Sequence, residues 1–238
     1  MNRSLTVFGT VVLTGGLLMA CSNDDKKDES ATSSSSSSAT TSAAAASTFD
    51  IAKIDAIKDQ FPAGYTVEVQ PKTTVTQQML DQMKGIFDKA TFTPQECADK
   101  MLGAFPQVTG TTMQGVTGAK DGADPMSKTM IIAAEMETVN PIPADTTGGA
   151  CDKFTLSIAG MAEGTGEKID APAIDGVQTT GTSTSIKISA PGMEKEMAQV
   201  AYSAQLDDHH AISVSGMGDV DRNDLSDVFV KAVNAVKG

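Results

Sequence analysis

The sequence predicts an α+β fold, one antiparallel β-sheet with helices packed on it, preceded by an export segment and a polar tether. Three observations carry that expectation. Apolar residues recur at helical spacing from Ile51 to Met101, they alternate with period two from Met130 to Val214, and one amphipathic stripe closes the chain. Helices followed by a run of strands build α+β domains, and short connections between strands favour antiparallel neighbours. No fixed-period repeat is present, and residues 49–238 are read as a single domain.

Each element follows from its local signals. Ile51, Ile54, Ile57 and Phe61 mark a first helix that Pro62 and Gly64 end. Thr66 to Gln70 is a short strand with Val67 and Val69 on one face. Thr74-Val75-Thr76-Gln77 has the capping-box pattern, and Met79 or Leu80, Met83, Ile86 and Phe87 form the buried stripe of the helix behind it. Thr93-Pro94-Gln95-Glu96 offers an N-cap, a proline at the first helical position and a glutamate at N3, with Cys97 and Met101 on one face of the helix that follows. After Gly110 the period changes. Met130, Ile132, Ala134 and Met136 alternate with Thr129, Ile131, Ala133 and Glu135, and Phe154, Leu156 and Ile158 alternate with Thr155, Ser157 and Ala159. Ile186 and Ile188 flank Lys187, then Val200, Tyr202, Ala204 and Leu206 lead across a turn at Asp207 to His210 into Ile212 and Val214. The closing helix is capped by Asp221 or Asn223 and buries Leu225, Val228, Phe229, Ala232, Val233 and Val236.

Residues 1–20 read as a signal segment: Arg3, then an apolar stretch to Met19 that Gly9, Gly15 and Gly16 make too short and too broken for a comfortable membrane span. Small Ala20 followed by Cys21 resembles a bacterial lipobox. That resemblance implies that the Cys21 thiol receives diacylglycerol through a thioether before cleavage at Cys21, giving a lipid anchor of acyl chains such as palmitate that holds the chain on the outer face of the cell membrane. Residues 21–48 are rich in Ser, Thr and Ala and lack the apolar side chains that offset ordering entropy, so they read as a disordered tether averaging about 30 Å end to end.

The formal charge of −12 argues against nucleic-acid and anionic-surface partners. The lack of Trp argues against an aromatic-walled sugar site, and the thirteen Met read as filler for an irregular core. With Cys21 assigned to the anchor, Cys97 and Cys151 remain as an even pair in an exported chain, which predicts a Cys97–Cys151 disulfide. The chemistry that remains is thin. His209 and His210 beside Asp207 and Asp208 read as a polar hairpin tip, because neighbours on extended chain point to opposite faces and rarely share an ion. No G-x-S-x-G elbow occurs, and Ser213-Val214-Ser215-Gly216 reads as strand. Glu194 with Glu196 and Asp170 with Asp175 read as solvated pairs, and Gly160 to Gly166 as a hairpin loop. No catalytic residue, cofactor or metal ligand is assigned. The connection from Val139 to Thr147, whose far end the disulfide would pin, is the expected edge of any ligand groove.

Cys21 in its lipobox, the Ser/Thr/Ala tether, Phe61-Pro62-Ala63-Gly64-Tyr65, and Thr93-Pro94 with Cys97 before a distant Cys151 resemble small actinobacterial lipoproteins of an uncharacterised family. More distantly they resemble the extracellular sensor domain of mycobacterial serine/threonine kinases. The resemblance implies an α+β sensor-like domain with a ligand cleft. The present chain has one cysteine pair where the kinase sensor has two, and no kinase segment, so signalling does not carry over. The expected function is a non-enzymatic, membrane-anchored domain binding a small ligand or an envelope component. The alternatives are a lipid carrier with an acyl-chain cavity lined by Met130, Ile132, Leu156 and Ile158, and a cell-envelope hydrolase. Neither sequence nor resemblance assigns an oligomeric state.

Overall fold

The structure, a computed structural model, describes residues 49–98, 108–121, 128–142, 149–158, 162–190 and 193–238. Its strands are β1 (Thr66–Thr74), β2 (Ala90–Thr93), β3 (Thr112–Lys120), β4 (Thr129–Glu137), β5 (Lys153–Ile158), β6 (Ala162–Ile169), β7 (Gln178–Ala190), β8 (Met193–Gln205) and β9 (His210–Met217). They form one sheet in the order β1-β3-β4-β9-β8-β7-β6-β5-β2, antiparallel throughout. The sheet dominates the fold, with the first and last of the expected helices packed on it at one half.

Two helices cover what we call the inner face. Ile51–Gln60 is a 3₁₀ helix whose N-cap Asp50 accepts a hydrogen bond from the Ala52 amide at 3.0 Å. Ile51, Ile54 and Ile57 are buried at a spacing of three, and three residues per turn stacks them in one line. The spacing read as helical in the sequence is therefore the 3₁₀ repeat. The C-terminal helix, Arg222–Lys237, starts at Asp221, whose carboxylate accepts from the Asn223 amide at 2.8 Å. Its six expected apolar residues are all buried. They meet Ile54, Ile57, Val116, Ile131, Ala133, Tyr202, Ala204, Ile212 and Val214 in the first core, where the Tyr202 and Phe229 ring centroids lie 5.5 Å apart.

A second core lies on the opposite, outer face at the other half of the sheet. Phe92, Phe154, Leu156, Ile158, Ala162 and Ile186 are buried there with Cys97 and Cys151. The two cysteines are bonded, with Cα atoms 5.4 Å apart. Strands β7 and β8, thirteen residues each, join the halves: Ile186 lies in the second core while Tyr202 and Ala204 lie in the first.

Several expectations change. β2, β3 and β6 are strands the sequence left unassigned. The glycine-rich stretch taken for a loop lies largely in β6, where a Cβ on Gly166 would clash with the end of the Phe154 ring and one on Gly164 would reach the Ser185 carbonyl at 2.8 Å. These glycines keep room for a neighbour instead of making a turn. The strand after the first helix runs on to Thr74, through a register shift between Gln70 and Thr73 beside Pro71. The next helix is Gln77–Phe87, and its cap is Thr76, whose hydroxyl accepts from the Met79 amide at 3.4 Å, two residues later than the capping-box reading. Met79, Leu80 and Met83 are only half-buried there. Thr93 ends β2, and the helical turn begins at Glu96. Met101 lies outside the described residues.

Candidate functional site

Strand parity places a methionine-lined surface on the outer face. In β4, Thr129, Ile131, Ala133 and Glu135 point inward and are buried, so Met130, Ile132, Ala134 and Met136 point outward. Cross-strand partners share a face, which adds Met113 (opposite Met136), Met217 (opposite Met130), and Ala211, Ser213 and Ser215 of β9. Beyond β9 come Gln199 and Ala201 of β8, and Met197, opposite Ile186, continues the surface to the second core. Met113, Met130, Met136, Met197 and Met217 are all half-buried. Met79 and Met83 of the Gln77–Phe87 helix are half-buried as well. Both helices of the first core lie on the other side. The surface is apolar, flexible and broken by small residues, a composition suited to adaptable contact.

The inner face carries two polar features. Beside the first core, the solvated side of β5, β6 and β7 forms shallow hollows of about 380 and 450 Å³, lined by Thr93, Thr155, Thr165, Ser183 and Ser185 with Lys153, Glu163, Glu167 and Lys187 at their margins. Lys153 faces Glu167 and Glu163 faces Lys187 across the strands. Under the N-terminal 3₁₀ helix lies a buried acid. Glu135 has no exposed surface and neither of its carboxylate oxygens has a hydrogen-bond partner. Burial, then the charges of Asp50, Glu137 and Asp207, push its pKa up to about 7, with Lys72 pulling weakly the other way. Its cross-strand neighbour Gln114 donates to Asp55 Oδ2 at 2.8 Å, and Asp55 Oδ1 is a further buried oxygen without a partner.

The histidine tip is more closely built than its sequence suggests. The Asp207 carboxylate accepts from the His209 amide and the His210 amide, each at 2.7 Å, and lies 2.9 Å from His210 Nδ1. Burial opposes ionisation of Asp207, but these bonds and the His210 charge hold its carboxyl below the usual range. His209 Nδ1 lies 2.9 Å from the Thr138 carbonyl, and His210 is buried against Phe49, with ring centroids 5.6 Å apart. Among the described residues no group of three or more His, Cys, Asp or Glu is placed to hold a metal ion.

Other candidates are dispersed. Cys21 and the tether lie outside the described residues, and so do Pro143 to Thr147 of the expected groove edge; Val139 is exposed. Glu194, Glu196, Asp170 and Asp175 are exposed, with Glu196 accepting from Ser185 Oγ at 2.9 Å. Ser213 to Gly216 lies within β9. Of the four residues named for an acyl cavity, all share the outer face, but Leu156 and Ile158 are filled into the second core while Met130 and Ile132 stay half-buried.

These features define a sheet-dominated domain with two cores on opposite faces. The chain belongs to the family described as a domain of unknown function, DUF5642, whose model matches residues 50–237. An uncharacterised protein from Mycobacterium smegmatis, the Rv0999 ortholog, is similar in structure with a TM-score of 0.61 at 21% identity, covering 80% of this chain and 98% of that one. The extracellular domain of PknH from Mycobacterium tuberculosis matches with a TM-score of 0.41 at 11% identity, covering 79% of this chain and 91% of that one. No curated protein matches the chain. Among the described residues no helix is long and apolar enough to cross a membrane.

Proposed function

We propose that this chain is a lipid-anchored, outward-facing envelope domain that binds, without catalytic turnover, a small apolar or amphipathic ligand or envelope component on its methionine-lined face. The half-buried Met113, Met130, Ile132, Met136 and Met217 on one sheet face carry the reading. Partly exposed methionines and Ile132 interspersed with small residues on one face suit adaptable contact with an apolar ligand. The anchor rests on Ala20-Cys21 behind the apolar segment, and the disulfide fits an oxidising compartment. The non-enzymatic part rests on the histidines, whose Nδ1 atoms face the Thr138 carbonyl and the Asp207 carboxylate inside the fold. A lipid-carrier reading is favoured by one observation: the outer face leads from Met130 and Ile132 across Met197 to the edge of the second core.

Native mass spectrometry of the mature protein from its own host, beside the Ile132→Asp variant, tests this. The expected result is a non-covalent adduct on the wild type that the variant lacks, and a covalent acyl mass that persists under denaturing conditions and disappears in Cys21→Ala. An adduct of lipid mass selects the carrier reading. A bare wild-type protein that also fails to bind a fluorescent acyl probe overturns ligand binding, and an unmodified Cys21 overturns the anchor.

A further inference from the structure

We propose that Glu135 and the acidic groups around it form a proton-operated latch on the N-terminal 3₁₀ helix, closed when Glu135 is protonated and released when it is ionised. The geometry points to this independently of what the methionine face binds. Glu135 lies on the same inward row as Ile131 and Ala133, and Ile131 and Ala133 pack with Ile54 and Ile57 of the helix. It is fully buried and its carboxylate makes no hydrogen bond, so its charged form has nothing to compensate lost hydration. The groups facing it add to the penalty. From the helix and its cap come Asp50 and Asp55, from β4 Glu137, from the β8–β9 turn Asp207 with His210, from β3 the neutral Gln114, and from β1 the cation Lys72. Lys72 lies 3.8 Å from Glu137 and shares its charge there.

The helix is the movable part of this enclosure. β3, β4 and β9 are held by ladders on both sides, whereas the 3₁₀ helix belongs to no ladder and is packed through three isoleucines, with the Gln114–Asp55 bond and the Phe49 contact with His210 among its other contacts. Ionised Glu135 regains water most cheaply by lifting that segment, which also separates it from Asp50. The segment is where the tether meets the domain, so release would lengthen the tether by the ten residues of the helix and uncover its isoleucine row.

Amide hydrogen exchange on the mature full-length protein at pH 5.5 and pH 8.0, corrected for intrinsic rates, tests the latch beside Glu135→Gln and Glu137→Gln. A carboxyl that ionises near 4.5 when open and about 7 when closed should raise the open population of residues 52–60 roughly thirtyfold between the two pH values. Glu135→Gln should reduce that rise to under about threefold, and Glu137→Gln should keep most of it. Equal protection at both pH values in the wild type, or an undiminished rise in Glu135→Gln, overturns the proposal. Open populations of residues 52–60 that equal those of the C-terminal helix at both pH values overturn it too, because the segment then opens only by global unfolding. Should Glu135→Gln not fold, Glu135→Met removes the same ionisation and is judged by the same criterion.

Discussion

At the scale of single residues, two carboxyls set opposite pH limits on stability. In an unfolded chain Glu135 ionises near 4.5, and in the fold it keeps its proton to about 7. Between those values the folded state binds more protons, so Glu135's contribution is complete at the acid end and declines as pH rises, by roughly 3 kcal/mol across the window. Asp207 behaves in reverse. Burial resists its ionisation, but two amides and the His210 ring hold it lower, so its stabilisation is present at neutral pH and lost as pH falls through its depressed pKa. The wild-type melting temperature should therefore fall between pH 5 and pH 8, while Glu135→Gln stays nearly flat and lies above wild type at pH 8. Asp207→Ala leaves two amides and the His210 Nδ1 without their acceptor and should cost about 1–3 kcal/mol at neutral pH. Thermal unfolding followed by circular dichroism reads both; a wild-type curve that rises from pH 5 to pH 8 would contradict the sign assigned to Glu135. This acid was visible in the sequence as a charge in a period-two row with Ile131 and Ala133. Parity alone did not say whether that row or the Met130 row faces the helices.

At the scale of elements, the glycines of β6 are the clearest case of packing written in small residues. The Phe154 ring occupies the place of a Cβ on Gly166, so Gly166→Val must expel the ring from Phe92, whose centroid is 6.4 Å away, or shift the strand. Overpacking of this kind costs about 1–3 kcal/mol. Gly85→Ala in the Gln77–Phe87 helix meets nothing within 4 Å and should gain up to about 1 kcal/mol from helix propensity. Urea titrations of the two variants should move the midpoint in opposite directions. Elements defined by their own period were legible: the Met130 to Met136 and Phe154 to Ile158 alternations, the Asp221 cap and the closing stripe all stand where the residues put them. Elements defined by partners were not. β6 reads as a turn until Phe154 is placed over it, and β2, four residues before Pro94, is a strand only because Phe92 pairs opposite Leu156. The methionine face was hidden for a related reason, since it is assembled from four strands and no single segment displays it.

At the scale of the whole molecule, one sheet carries two cores of unequal size on opposite faces, and the disulfide belongs to the smaller. The first core gathers both helices and residues from β3, β4, β8 and β9, whereas the second gathers eight buried residues including the two cysteines. A core that small depends on its covalent link, because its own buried apolar area offsets little ordering entropy. Cys97 and Cys151 are 54 residues apart, and a loop of that length gives roughly 4 kcal/mol in the chain-entropy model. The double variant Cys97→Ser/Cys151→Ser should lose about 2–4 kcal/mol, unevenly distributed. Ile186 and Tyr202 lie on different halves of the β7–β8 hairpin, so the half bearing Tyr202 keeps its contacts with Phe229 when the half bearing Ile186 loosens. Amide exchange should then rise in β2, β5 and β6 while the C-terminal helix keeps its protection. If the C-terminal helix lost protection to the same degree, the long hairpin would be transmitting the loss from one face to the other, and the two cores would be a single cooperative unit.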